Sequence, residues 1–476
     1  MKNIVLIGLS TFLLSSCSGD ILEEKPQAIA EETFYNTPSE LESGVAAIYT
    51  PLRNCFDYDY SIFLEAASDL IYTSLGSWTA ASQYKVLDAT GISRISNSWS
   101  SLYQAIRNAN VMIKAIPNAS STTEEENNQY MGEAKFLRAL AYFQLVRGWG
   151  AVPLRTEANM LEYSLPRSSE EDIYALIISD LEFAESNLPE TVEISGHPTK
   201  WSAKLLLADV YFMLNQYEQA ANLSYEVIQS GQYSLVDVET WNDFENLYGA
   251  TVVNTPEEVF YFKYHEQDPF DMPKAYHGSG NAGEYIREAG YDLVVNSKEH
   301  KPYVEWDDND LRKDFWYYYD GTGLATGYLL LRKYNDPSGL YPRNSFPLYR
   351  YAYCLLLYAE ASCRVASAPT PEGMEALNKV HRRAYGYPSA QPSPVDFNLA
   401  DFNKDSFIEL CIKERGYETM GESKRWYDLK RLGWDEAAKY VKQNRGIEME
   451  EPCWLFPIPV SELNFNDAIS DQNPGY

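Results

Sequence analysis

The charged stretch ERGYETMGESKRWYDLKRLG, close to the C-terminus, contains the residue types that acid–base chemistry requires. Glu414, Arg415, Glu418, Arg425 and Asp428 stand three, four or seven positions apart in it. A general acid and base need two carboxylates that face one cleft in unequal environments. On one helix this spacing instead sets opposite charges side by side and turns the aromatic residues inward. We therefore predict an ion-paired helix docked on a scaffold, and no catalytic residues.

Other signatures of catalysis or metal binding are incomplete in this sequence. It lacks a G-x-S-x-G elbow and a P-loop, and the HEQD stretch at 265–268 departs from H-E-x-x-H. The oxygens of Asp307 to Asp310 could coordinate calcium, but the loop departs from the EF-hand pattern at Arg312. A solvated turn is the simpler interpretation of this loop. The cysteines show no metal-ligand spacing, so we predict no metal and no cofactor.

The aromatic content offers a different kind of chemistry. The chain has 38 Tyr and 10 Trp, and aromatic residues make up 14% of its 476 residues. Tyr and Trp combine a flat apolar face with a polar edge, which suits stacking on sugars or peptides. The alternative for each single residue is that it fills a helical core. The net charge of -29 repels phosphate backbones, so nucleic acid is not expected as a partner.

The elements that would position these residues are mainly helical. In the stretch 199–230, Thr199 can cap a helix, and apolar residues recur at three- and four-residue steps on both sides of a polar break. Ala208 and Ala220, with Tyr211 between them, keep the spacing of a tetratricopeptide repeat, in which small residues let two helices approach. One hairpin cannot bury its apolar face alone, so others must stack on it. Further helical patterns cover 33–53, 97–116, 130–149, 169–187, 348–365, 371–385 and 405–433.

The stretch 233–347 interrupts the helical pattern. It is rich in Gly, Pro, Asn, Asp and aromatic residues and shows little helical period. A structureless loop of this length is implausible in a compact domain, so we expect short strands and helices. Irregular segments on a rigid scaffold often carry function. The predicted fold is mainly α, with four tetratricopeptide-like hairpins at about 33–232 and 348–433 and an irregular lobe at about 233–347.

The N-terminus resembles a bacterial lipoprotein signal. Lys2 precedes an apolar run from Ile4 to Leu14, and Leu14-Ser15-Ser16-Cys17 follows. The run is too short to span a bilayer. The resemblance implies a signal peptide at 1–16, acylation of Cys17 and an acidic tether over 17–32, ahead of one domain at 33–476. Acidic residues after the cysteine resemble a surface-export signal of Bacteroidetes lipoproteins. An ordinary secretory signal is the alternative.

Several stretches in a fixed order are similar to the SusD/RagB family of outer-membrane nutrient-binding lipoproteins. The resemblance covers nearly the whole mature chain and implies a non-enzymatic protein that covers a SusC-like TonB-dependent transporter. One departure is Glu422-Ser423, where the family more often has Glu-Gly, and this could alter a helix end. The matching stretches are WSSLYQAIRNAN, FLRALAYFQLVRGWGAVPL, the hairpin at Thr199, DNDLRKDF, LYRYAYCLLLYAEA, LNKVHRRAYG, ERGYETMGESKRWYDLKRLG, FPIP and QNPGY.

The resemblance also implies two places for ligand contact, the insert after Asp69 and the irregular lobe. Aromatic rings there could stack on sugars while amides and carboxylates bind the hydroxyls. The run Trp316 to Tyr319 would alternate along a strand, so part of it must face the core. The predicted ligand-binding residues are Asp69, Trp78, Gln83, Tyr84, Tyr276, Tyr285, Tyr291, Trp306 and Trp316.

The predicted function is capture of an oligosaccharide or polysaccharide at the cell surface and its delivery to the transporter. Peptides or another nutrient are open alternatives, because the scaffold is shared and only the lobe determines the cargo. An all-α glycoside hydrolase would need two opposed carboxylates in a cleft. A pure scaffold protein would hold another protein and would need no aromatic-rich lobe.

Overall fold

The structure of the chain is a computed structural model. No helix in its described residues is both long enough and apolar enough to cross a membrane. The described residues are 34–73, 76, 78–277, 285, 295, 297–321, 326–337 and 341–476. Cys17 and the predicted signal and tether therefore lie outside the described residues.

Four pairs of antiparallel helices form the scaffold, as predicted. Each pair packs along its length, and the third pair also packs on the fourth. The pairs are α1 (Pro38–Asp57) with α4 (Ala89–Ala115), α5 (Glu124–Trp149) with α6 (Glu170–Asn187), α7 (Lys200–Met213) with α8 (Tyr217–Gln229), and α11 (Tyr351–Ala366) with α12 (Pro371–Ala384). The other helices are α2 (Asp59–Ala66), α3 (Thr79–Ser82), α9 (Glu245–Tyr248), α10 (Lys301–Val304), α13 (Lys404–Glu418), α14 (Arg425–Arg431), α15 (Trp434–Arg445) and α16 (Val460–Phe465).

Local sequence signals explain where these helices begin and how they pack. Thr37, Thr123 and Thr199 each cap a helix, and their side chains accept a hydrogen bond from the backbone N–H three residues later. Ala208 and Ala220 are completely buried between α7 and α8, as their small size predicts. The paired-helix core thus follows from periodicity and capping alone.

The irregular lobe contains two small antiparallel sheets. Strand β1 (Glu258–Phe262) pairs with β4 (Phe346–Arg350), and β2 (Trp316–Tyr319) pairs with β3 (Tyr328–Leu331). Because β4 runs directly into α11, that helix begins later than the sequence pattern predicts. Short 3-10 helices occupy Ile116–Asn118, Trp241–Phe244, Met272–Tyr276, Leu311–Phe315, Leu399–Asp401 and Glu451–Cys453.

The prediction of one last helix over 405–433 is wrong. The helix stops at Glu418, and Gly421 and Ser423 adopt positive φ angles of 80° and 58° before α14 begins. The buried carboxylate of Glu65 accepts hydrogen bonds from the backbone N–H groups of Gly421 (3.2 Å) and Ser423 (2.6 Å). The helix break therefore supplies hydrogen bonds to the buried carboxylate of Glu65. It occurs where the sequence departs from the Glu-Gly pattern.

A buried ion network joins the lobe to the scaffold. Arg350, at the end of β4, binds Glu418 at 2.6 Å and Glu257 at 3.2 Å, while Arg312 binds Glu414 at 2.8 Å. Burial alone would raise the pKa of Glu414, but the charge of Arg312 outweighs it and holds that pKa at about 2. The network consists of Glu257, Asp310, Arg312, Lys333, Arg350, Arg383, Glu414, Glu418 and Glu422, each at most 3% exposed.

The charged stretch is thus ion-paired, but with partners that its spacing does not predict. Arg415 binds Asp428 across the helix break, and Arg425 binds Asp69 from the distant insert. Asp310 pairs with Arg312 at 2.7 Å, so the DNDLR stretch is part of the same network. Moving the lobe away from the scaffold would separate these ion pairs and leave buried charges uncompensated, which is costly. The ion pairs therefore fix the position of the lobe.

Candidate functional site

The predicted aromatic residues of the insert are buried. Trp78 is completely buried and packs edge-on against Phe63, with ring centroids 6.0 Å apart. Tyr84 is also completely buried, and its hydroxyl donates a hydrogen bond to the Ser68 carbonyl at 2.8 Å. Neither ring presents a face to a ligand in this structure, because each fills the space between the insert and the scaffold. Of the predicted insert residues, Gln83 is the exposed one.

Asp69 is completely buried as well. It accepts hydrogen bonds from Arg425 at 2.6 and 2.8 Å and from Asn444 at 2.6 Å. Burial opposes ionisation, but the charge of Arg425 prevails and lowers the pKa of Asp69. Asp69 therefore positions two other side chains and offers no free oxygen to a sugar hydroxyl.

Three predicted residues of the lobe are buried too. Trp306 is 3% exposed, lies parallel to Tyr417 with centroids 3.7 Å apart, and donates its indole N–H to Asp310 at 2.9 Å. Tyr276 is 1% exposed and Trp316 is 4% exposed. The prediction that these rings contact a ligand directly does not fit their positions. Tyr291 lies outside the described residues.

Among the described residues of the lobe, several partly exposed aromatic rings lie together on the sheet of β2 and β3. Part of the run 316–319 faces the core, as predicted, but the residue that turns inward is Trp316, which was predicted to bind ligand. Alternation along β2 places Tyr317 and Tyr319 on the opposite face. Tyr328 of β3 is directly opposite Tyr319 in the ladder. These three half-buried tyrosines surround Leu330 and form an apolar cluster separate from the main core. We call Tyr317, Tyr319 and Tyr328 the tyrosine face.

Neighbouring side chains extend the tyrosine face. Tyr285, a predicted ligand residue, is half-buried and packs on Tyr317 with centroids 4.8 Å apart. The guanidinium of Arg332 lies 3.8 Å from the centroid of Trp241 and within 6 Å of both tyrosine rings. Its Nε donates to the Asp314 carbonyl at 2.7 Å, which fixes its orientation. The surface therefore combines stacking rings with a positioned cationic donor, the two features that sugar recognition uses.

A separate cleft lies where the insert, the lobe and the last helices meet. This cleft has a volume of about 420 Å³, and its lining includes Leu70, Glu305, Tyr417, Tyr440 and Asn444. Asp69 and Trp306 lie behind its wall, where Asp69 binds Asn444 and Trp306 stacks on Tyr417. The insert and the lobe, the two regions predicted to bind ligand, thus meet at this cleft. Asp69 and Trp306 pack behind the residues that line it and are not part of the lining.

Comparison with known proteins now assigns the chain to a family. A family model described as "Starch-binding associating with outer membrane" matches residues 20–212, and one described as "SusD family" matches residues 260–476. The chain belongs to the SusD/RagB family.

Individual SusD-like relatives resemble this chain over nearly its full length. SusD-like protein P2 of Formosa agariphila is 27% identical, over 97% of each chain. Surface glycan-binding protein A from Bacteroides fluxus has a TM-score of 0.76 and 21% identity, and the match covers 93% of this chain and 100% of that one. A structure named as a laminarin-binding SusD-like protein has a TM-score of 0.72 at 24% identity, with the same coverage. These structures share the SusD fold, as the sequence motifs predict.

The tyrosine face of this SusD/RagB chain was not predicted, although its sequence contains a signal for it. Once Trp316 is assigned to the core, period-two alternation directs Tyr317 and Tyr319 to the other side. The DGTG turn signal after Tyr319 predicts a hairpin whose second strand returns Tyr328 beside it. The number of aromatic residues in the lobe does not distinguish rings that face the core from rings that face outward, whereas strand alternation and pairing do.

Proposed function

We propose that this chain is a non-catalytic lipoprotein of the outer-membrane surface that binds an oligosaccharide or polysaccharide and delivers it to a SusC-like TonB-dependent transporter. The observation that carries the proposal is the tyrosine face, an aromatic cluster outside the main core whose three tyrosines are only partly buried. Polar-edged rings at a wet surface suit the C–H faces of pyranose rings. The similarity of this chain to a surface glycan-binding protein and to a laminarin-binding SusD-like protein supports a carbohydrate as the cargo.

The carboxylates of the charged stretch support a role without turnover. Glu414 and Glu418 are buried and face arginines, so both are held as structural anions. A glycosidase needs one carboxyl group that keeps its proton near neutral pH and a second that faces the same bond. We expect incubation with glycans to release no new reducing ends. New reducing ends that vanish when one carboxylate is changed to its amide would contradict a non-enzymatic role.

Anchoring through Cys17 is part of the proposal. The acyl chain would hold the domain at the membrane, and the helical pairs would give the transporter a rigid surface. Stacking surfaces of this kind bind modestly and release readily, which suits a protein that hands its cargo on. Metabolic labelling with a palmitate analogue tests the anchor, since labelling should disappear in Cys17→Ala.

Isothermal calorimetry of a soluble form that starts after Cys17 tests the cargo. The panel would contain laminarin, other plant, host and microbial oligosaccharides, and mixed peptides. We expect binding to one glycan class, weakened in Tyr317→Ala and unchanged in Tyr225→Ala, whose ring is exposed on the scaffold. Weakening by Tyr440→Ala alone would move the site to the cleft. Binding only to peptides would replace the carbohydrate with a peptide cargo.

A further inference from the structure

A cavity of about 400 Å³ lies between the first turn of α15 and the segment 451–455. Its volume falls within the range of small-molecule sites, about 300–1,000 Å³. It shares no lining residue with the tyrosine face or with the cleft, whose residues Tyr440 and Asn444 lie nearer the other end of α15. The proposed glycan function therefore leaves this cavity without a role. Its described lining consists of Trp434, Glu451, Trp454, Leu455 and Pro474.

Two indole rings form adjoining walls of this cavity. The ring centroids of Trp434 and Trp454 are 5.4 Å apart, and the ring planes are inclined by 70°. Both side chains are half-buried, so each ring is partly packed and partly open. A compact group inside the cavity can therefore contact both rings at once. We call this pair of rings the tryptophan corner.

Contacts behind the tryptophan corner hold it in place. The buried ring of Trp426 packs edge-on against Trp454, with centroids 5.8 Å apart. Buried Lys430 donates a hydrogen bond from Nζ to the Trp454 carbonyl at 2.7 Å. Gly433, with a φ of 86°, makes the turn after which α15 begins at Trp434. The rings are therefore positioned before any ligand arrives, which lowers the cost of binding.

Acidic side chains surround the tryptophan corner. Glu451 lines the cavity, while Asp435 and Glu450 are the chain neighbours of lining residues. All three are exposed, and within the described residues none of them forms an ion pair with a lysine or arginine. The amine of Lys430 lies 5.4 Å from the Trp454 centroid, but burial lowers the pKa of Lys430 to about 7, so it is only partly charged at neutral pH. The corner therefore favours a positively charged ligand.

The polar groups of the lining favour an organic cation over a sugar. A bound sugar has several hydroxyls, and each one that is buried without a hydrogen-bond partner weakens binding. The described side chains of the lining offer only one carboxylate and two indole N–H groups. A quaternary ammonium group has no N–H to satisfy and is attracted to the faces of aromatic rings.

We propose that this cavity binds a quaternary ammonium group, separately from the glycan. Its methyl groups would contact the faces of Trp434 and Trp454, and Glu451 would supply the opposite charge. The group could belong to a free small molecule or to a lipid head group, since both carry the same chemistry.

Calorimetric titration of the full-length protein with choline tests this site, because choline carries a trimethylammonium group. The matched ligand is 3,3-dimethylbutan-1-ol, which has the same shape without the charge. We expect choline to bind at least about tenfold more tightly than this alcohol. Trp434→Ala should weaken choline binding at least about tenfold, and Glu451→Gln should weaken it roughly threefold or more. Glu448→Gln is the matched control and should change nothing, since exposed Glu448 is paired with Lys442.

The same variants separate this site from the glycan site. Choline binding should be unchanged in Tyr317→Ala/Tyr319→Ala, and glycan binding should be unchanged in Trp434→Ala. An unchanged unfolding temperature would establish that each variant is folded. Absence of choline binding, equal affinity for choline and the neutral alcohol, or full choline affinity in Trp434→Ala would overturn the inference and leave the glycan function intact.

Two further titrations identify what carries the group. Binding of phosphatidylcholine vesicles, lost in Trp434→Ala, would place it on a lipid head group, whereas binding of choline without the vesicles would make the ligand a free cation. Glycan binding that is lost in Trp434→Ala, with no response to choline, would assign the cavity to sugar and overturn the inference.

Discussion

Trp306 and Tyr319 belong to the same irregular lobe, yet their rings have opposite environments. Trp306 is enclosed by Tyr417 on one side and by the ion network through Asp310 on the other. Tyr319 stands on a two-stranded sheet whose apolar cluster does not merge with the main core. Aromatic residues near a site therefore divide into those that pack beneath it and those that can contact a ligand.

The largest expected effect comes from removing a supporting ring. Trp306→Ala would leave a cavity beside Tyr417 and remove one of the hydrogen bonds that Asp310 accepts. We expect it to lower the free energy of unfolding by about 3–5 kcal/mol, measured by urea denaturation. Trp434→Ala, at a half-buried surface position, is the matched control and should cost much less. Equal costs would break the distinction between supporting and exposed rings.

Acid should weaken the buried ion pairs that stabilise the fold and should leave the tyrosine face unchanged. Burial opposes the charge of Glu360, but Arg431 and Arg415 hold its pKa at about 2, below the usual 4.5. The folded-state pKa of Glu360, like that of Glu414, lies below its unfolded value. The ionised carboxylate therefore stabilises the folded state fully above pH 4.5, and this stabilisation is lost as the pH falls toward 2.

We expect the unfolding temperature to fall steeply below pH 4.5, as measured by circular dichroism. Molecules that remain folded should keep their glycan affinity, because the three rings of the tyrosine face carry no charge in this range. An unfolding temperature that stays constant from pH 5 to pH 2.5 would contradict the role of the ion network.

Moving a ring of the tyrosine face should weaken binding without loss of stability. A Cβ added at Gly321 would lie 2.5 Å from the Tyr319 ring, so Gly321→Ala must displace that ring. We expect glycan affinity to fall by roughly 3- to 10-fold, equivalent to about 1 kcal/mol. In a Tyr319→Ala background the glycine substitution should have no further effect on affinity. Additive losses would show that Gly321 acts elsewhere.

The smallest effect concerns the helix break below the lobe. Ser423 has a positive φ of 58°, and within the described residues its buried hydroxyl has no hydrogen-bond partner. Ser423→Gly should raise the free energy of unfolding by up to about 1 kcal/mol, while Ser423→Ala, which keeps the Cβ, should gain less. A loss of stability in the glycine variant would show that the serine side chain supports the break.

The scaffold could be predicted because its signals are local. Thr199, Ala208 and Ala220 define a capped hairpin within one short stretch, and the remaining pairs show the same period. The site could not be predicted in the same way, because burial of a ring depends on distant residues. Trp306 is enclosed by Tyr417, and Asp69 is neutralised by Arg425, partners that no spacing rule connects. Strand alternation and the DGTG turn after Tyr319 were the local signals that could locate the tyrosine face.

The most direct test is a calorimetric titration of three soluble proteins with the glycan that the wild type binds. The proteins are the wild type, Tyr317→Ala/Tyr319→Ala and Trp306→Phe. Our account predicts that the tyrosine variant loses at least tenfold in affinity with its fold intact, while Trp306→Phe loses stability but keeps its affinity. Full affinity in the tyrosine variant, or loss of affinity confined to folded Trp306→Phe, would contradict the assignment of ligand contact to the tyrosine face.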